Sequence, residues 1–157
     1  MSYVDKILQP GESIRHVARI HWLIYLPAFI FALAAIVVVA LVLLGIGELE
    51  PVWRQFALVA AAGFGAVALY LFVRAWIERL TTELVVTDRR IIYKRGLIRR
   101  FTAEMNMNKV ETVLVEQSIL GRIFGFGTVT VRGTGGGMEP LPNVEDPLTF
   151  RNHVTAD

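Results

Sequence analysis

The chain of 157 residues contains no cysteine, three histidines and only 19% charged residues. Without cysteine there can be no disulfide, no zinc–thiolate site and no thiol nucleophile. The histidines His16, His21 and His153 offer little to a metal. The first two are spaced so that a helix would not place them on one face, and no carboxylate cluster joins them. They read as ordinary interfacial histidines. The sequence has no His-Glu-x-x-His motif, no nucleophile elbow and no paired-carboxylate signature. Glu111, Glu116 and Glu139 read as strand or loop carboxylates. A non-enzymatic protein without cofactor or metal is expected. Sixteen Lys and Arg against 14 Asp and Glu leave a net charge of +2, too little to argue for nucleic acid as a partner.

Charge is also missing locally. Trp22–Gly47 (WLIYLPAFIFALAAIVVVALVLLGIG) and Gln55–Val73 (QFALVAAAGFGAVALYLFV) contain no Asp, Glu, Lys, Arg or His. Crossing the hydrocarbon core takes roughly 20 apolar helical residues. The first run is apolar all round, unlike the amphipathic helices of soluble proteins. The runs predict a transmembrane hairpin, with segments 22–47 and 55–76 joined by an outer loop 48–54. Cleavage as a signal peptide is not expected, because the first run continues well past the small-residue cluster Ala32–Ala35. The absence of embedded Asp, Glu, Lys, Arg and His argues against an ion or proton pathway. Pro27 and Pro51 sit where helices begin, and Trp22, Tyr25 and Trp53 suit the membrane interfaces. Ala28 and Ala32 on the first helix, and Ala57, Ala61 and Gly65 on the second, recur at four-residue spacing. Small residues so spaced let backbones approach in lipid. They read first as packing the hairpin on itself, with a homo-oligomer as the alternative. Lys6, Arg15, Arg19, Arg74 and Arg79 flank one side of the spans, while Arg54 lies beside Glu48 and Glu50 on the other. The positive-inside rule then predicts a multi-pass protein of the bacterial inner membrane with both termini cytoplasmic.

Residues 1–21 form a polar head, with Pro10-Gly11-Glu12 as a turn and SIRHVARI as a weak strand pattern. From residue 77 the periodicity changes to two. Glu83–Thr87 and Arg90–Lys94 read as a hairpin about Asp88-Arg89, followed by Phe101–Met107 and by Val113–Glu116. The last of these has apolar residues on both faces and is expected at the centre of a sheet. Gly127–Arg132 is a further strand, and Met138–Leu141 is expected to be the final one. Ser118 and Gly125 bracket a short helix, and Asp146-Pro147 opens a C-terminal one. Gly133–Gly137 lacks the Gly-Lys-Ser/Thr that a phosphate cradle needs and reads as a loop between strands.

The stretches ELVVTDRRIIYKRGLIRR, KVETVLVEQSILGRIFGFGTVTVRGTGG and DPLTFRNHV resemble the bacterial pleckstrin-homology-like domain of membrane-anchored proteins. Thr87–Arg90, Glu116-Gln117-Ser118 and Gly127-Thr128-Val129 are its most specific pieces, and the head LQPGE and His21-Trp22 fit the same layout. The resemblance implies a mainly-β PH-like domain at 77–157, a small antiparallel barrel of two roughly orthogonal sheets with a C-terminal helix. It carries no catalytic residues over.

Two interaction sites are expected. Arg89, Arg90, Lys94, Arg95, Arg99 and Arg100 form a basic cluster suited to an anionic leaflet or a partner. Ile119, Leu120, Ile123 and Phe124 could dock a protein or the bilayer, although core packing of at least two is the simpler expectation. Together these features predict a membrane-anchored adaptor or accessory subunit of an inner-membrane complex. Membrane lipids and other membrane-protein subunits would be its partners. The alternative is an anionic-lipid-binding sensor in envelope stress or lipid homeostasis.

Overall fold

The computed structural model describes residues 8–45, 50–97 and 101–155. The chain forms two compact units. One is Trp22–Ile77; the other combines the residues up to His21 with those from Glu78 onward.

In the helical unit, a 3-10 turn at Trp22–Tyr25 runs into α1 (Leu26–Leu43), with Pro27 in the first turn where its missing N–H costs nothing. Helix α2 is Pro51–Thr81. The stretches Trp22–Leu43 and Pro51–Thr81 have mean hydropathies of 3.0 and 2.3, and only 11% of each apolar window is buried within the chain. A core helix of a soluble domain would be mostly enclosed; these expose Ile30, Leu33, Ile36, Val59, Leu69 and Tyr70. Such surfaces need an apolar solvent. The two helices run antiparallel, since the Tyr25 ring lies 5.2 Å from that of Phe72 and the Phe31 ring 6.2 Å from that of Phe64. Of the small residues singled out, Ala28 and Ala61 are buried, while Ala32, Ala57 and Gly65 are half-buried. Ala68 and Ala75 are buried too, so on α2 the most enclosed positions recur every seven residues.

The other unit holds two antiparallel sheets. The first has the order β1 (Ile14–Ala18), β2 (Glu83–Thr87), β3 (Arg90–Arg95) and β4 (Phe101–Asn106). The stretch 1–21, expected as a separate head, therefore supplies the first strand of this sheet. Pairing of Val17 with Val85 and of Ala18 with Leu84 joins residues that lie before α1 to residues that lie after α2. The helical hairpin is inserted between two neighbouring strands. Leu84, Val86, Ile91 and Tyr93 share one face of the β2–β3 pair, and Val85 and Ile92 the other. All six are buried, which explains the near-continuous β-branched runs in these strands.

The second sheet comprises β5 (Val110–Glu116), β6 (Phe126–Gly133), β7 (Gly136–Gly137) and β8 (Leu141–Glu145). Here two expectations are corrected. Strand β5 pairs only with β6 among the named strands, so it lies at the edge, and β6, flanked by β5 on one side and β7 and β8 on the other, is central. Leu114 on the outer face of β5 is exposed, so its apolar residues did not report burial on both sides. The final strand begins at Leu141 rather than ending there; Pro140 precedes it and Met138 is buried, donating its N–H to Val131 O at 2.8 Å. Arg19–His21 then run beside β8, through Glu145 N–H to Arg19 O (2.8 Å) and His21 N–H to Asn143 O (2.7 Å). This segment links the two sheets. Helix α4 (Pro147–Thr155) packs on β1, β5 and β6 and buries Phe150 and Val154.

Candidate functional site

The basic hairpin is built around Thr87-Asp88-Arg89-Arg90, between β2 and β3. Thr87 is fully buried at the end of β2; its Oγ1 accepts the Arg90 backbone N–H at 3.0 Å and directs its proton to Glu12 Oε1 at 2.8 Å. Asp88 exchanges two bonds with Ser13: its backbone N–H donates to Ser13 O (3.1 Å), and its Oδ1 accepts the Ser13 N–H (2.9 Å). Arg90 grips Glu12 with both arms, Nε to Oε1 at 3.0 Å and Nη2 to Oε2 at 2.9 Å, and reaches Glu104 Oε2 with Nη1 at 2.8 Å. The Glu12 side chain is 0% exposed and that of Arg90 12%. Burial alone would raise the Glu12 pKa. Hydrogen bonds from Arg90, the Gln9 N–H and Thr87 outweigh it and bring it from 4.5 down to about 2. The motif is a clasp that fastens the N-terminal turn onto the domain.

This geometry divides the basic residues expected to act together. Arg90 is spent on two carboxylates. Arg95 pairs with Glu78 at 3.1 Å. Strand alternation puts Arg95 on the opposite face of β3 from Arg90 and Lys94; Lys94 is half-buried and lies opposite Glu83 and Thr102. Arg89 is exposed. Arg99 and Arg100 lie outside the described residues. No single cationic face is assembled from the described members. Glu12, in LQPGE, lies 78 residues from Arg90, so no local pattern in the sequence pairs the two.

The second candidate is helix α3 (Ile119–Phe124), where the core expectation is corrected. Ile119, Leu120, Ile123 and Phe124 are 81%, 54%, 69% and 47% exposed. Gly121 alone faces inward. A Cβ there would meet Phe126 O at 2.5 Å, so only glycine lets the helix back seat so closely. Ser118 Oγ caps the Gly121 N–H at 3.0 Å, and Gln117 Nε2 donates to Gly121 O (3.3 Å) and Phe126 O (3.1 Å). Gly125, at φ 74°, ends the helix in the left-handed region that favours glycine. The Glu116-Gln117-Ser118 motif is thus a bracket for α3. Beside it an open cleft of about 340 Å³ is lined by Glu116, Gln117, Ser118, Phe126, Gly127, Thr128 and Asn143.

The histidines are used in packing. His16 stacks on His153 at 4.6 Å, between β1 and α4, and His21 stacks on Phe126 at 5.4 Å. Burial and the neighbouring His153 both lower the His16 pKa, against the opposing pull of Asp146. Among the described residues no three His, Asp or Glu side chains are grouped to hold a metal ion. Gly133–Gly137 forms the tight β6–β7 turn.

Comparison with known proteins agrees with this architecture. The family described as Bacterial PH domain matches residues 22–157. The UPF0699 transmembrane protein YdbT of Bacillus subtilis (strain 168) is 22% identical over 100 residues. That alignment covers 57% of this chain and 20% of the relative, so the match spans about a fifth of that protein's length.

Proposed function

The chain belongs to the bacterial PH domain family, and on that premise we propose that it is a non-enzymatic, membrane-anchored adaptor or accessory subunit of an inner-membrane complex. Its PH-like domain would be held at the cytoplasmic face, with both termini inside. The observation that carries the reading is the insertion of the hairpin between β1 and β2. Strands that pair must share a compartment, so a chain that crosses and returns brings both ends of the hairpin to the same side. The basic residues Arg15, Arg19, Arg74 and Arg79 near those ends support the cytoplasm as that side. A domain fastened at two points is suited to transmit or fix a position within an assembly. The broad exposed apolar surface of α1 and α2 leaves room for neighbouring helices beside the narrow alanine seam. The transmembrane character of the Bacillus relative is consistent with this. An anionic-lipid sensor built on the basic hairpin is less well supported, because Arg90 and Arg95 are committed to internal carboxylates.

The test is cross-linking in native membranes followed by purification in mild detergent. A defined partner is expected at fixed stoichiometry. It should be lost when α1 and α2 are replaced by unrelated apolar helices of equal length. Recovery of the cross-linked chain as a lone monomer would overturn the proposal.

A further inference from the structure

Among the described residues, helix α3 is the most exposed apolar feature of the PH-like unit, and its shape limits what can cover it. It has six residues. With Gly121 clamped beneath it, Ile119, Leu120, Ile123 and Phe124 radiate outward as a convex knob rather than lining a groove. Side chains of this size gain by leaving water, so holding all of them exposed is costly. The Ser118 cap, the Gln117 bracket and the Gly121 contact hold them out nonetheless. The knob carries one charge, the exposed Arg122, and no acid. A long cationic side chain among apolar ones can cover apolar surface with its stem while its guanidinium reaches lipid phosphate. A lipid interface offers both environments within a few ångströms and needs no matching cavity.

The chain connectivity keeps lipid within reach. His21, bonded to Asn143 in the domain, is followed directly by Trp22 at the start of the first apolar segment. Thr82 alone separates the end of α2 from β2. A domain tied twice to spanning helices without a linker meets the bilayer at high effective concentration, so modest apolar contact suffices.

We propose that α3 is a bilayer-inserting foot: Ile119, Leu120, Ile123 and Phe124 enter the interfacial layer of the membrane, and Arg122 contacts the phosphates. The inference depends on membrane attachment of the hairpin but not on the identity of any partner subunit.

The cysteine-free chain allows a direct test on the full-length protein. Single variants Ile119→Cys and Ile123→Cys are labelled with an environment-sensitive dye. The labelled proteins are reconstituted into phosphatidylcholine vesicles, with or without phosphatidylglycerol and with a shallow nitroxide lipid as quencher. Arg151→Cys on α4 is the solvent control and Leu58→Cys on α2 the membrane control. The foot predicts blue-shifted emission and loss of intensity with nitroxide lipid at 119 and 123, but not at 151. In the phosphatidylglycerol vesicles, adding Arg122→Glu should reduce that loss. Emission at 119 and 123 typical of water, with quenching at 58, overturns the foot and leaves the spanning hairpin standing. A blue shift without lipid quenching overturns it in favour of a protein contact, including a second copy. Absence of quenching at 58 as well overturns the foot and the hairpin's insertion together.

Discussion

A carboxylate as fully enclosed as Glu12 would be a liability alone, since an isolated buried charge costs several kcal/mol. Arg90 removes that liability by bidentate pairing, and Thr87 and the Gln9 N–H complete the coordination. Because the folded pKa is about 2 and the ordinary value 4.5, the unfolded chain takes up the proton first as pH falls. The stability due to this carboxylate is therefore complete above pH 4.5 and is lost as pH falls from there through about 2. Glu12→Gln should cost about 3 kcal/mol at neutral pH, by breaking the buried ion pair with Arg90 and leaving Glu104 as its one carboxylate. It should also flatten this part of the acid dependence. Thermal unfolding of wild type and variant across that pH range, followed by circular dichroism, checks both. Arg90→Lys should be damaging as well, since an ammonium cannot reproduce the fork that meets Glu12 and Glu104 at once.

At the scale of elements, α3 shows how little sequence holds a short helix in a fixed pose. An isolated helix of six residues has no stability of its own in water. Here the cap, the bracket and the glycine seat supply it. Gly121→Ala should destabilise the domain by about 1–3 kcal/mol, because the new methyl must displace the backbone at Phe126. Ile123→Ser, on the exposed face, should leave folding within about 0.5 kcal/mol of wild type. Urea unfolding of the two variants in the same detergent measures the contrast. An equal loss in both would mean that α3 is packed as core. The short helix and its boundaries were readable from Ser118 and Gly125. Its outward aim was not, because an apolar residue records a need to leave water, not what it will meet. The same limit explains β5, whose apolar residues on both faces suggest a central strand while the strand order of the sheet places it at an edge.

For the whole molecule, the decisive fact is that an apolar helical hairpin interrupts a β-sheet. This makes a topological prediction. In intact cells, cysteines introduced at Ser2 and at Asp157 should be shielded from an impermeant thiol reagent, and one at Trp53 should react; permeabilisation should expose all three. Reaction of the two terminal positions from opposite sides would contradict the pairing of β1 with β2. The apolar spans, the flanking charges, the β2–β3 hairpin and the closing helix were determined by sequence alone, because each follows from local composition, periodicity or a capping residue. Only the tertiary structure decided that Ile14–Ala18 joins the strands beyond the hairpin, that Glu12 takes Arg90 out of the basic cluster, and that α3 points outward. Each of these depends on residues distant in sequence meeting in space: pairing partners, ion partners and the backbone against which Gly121 rests.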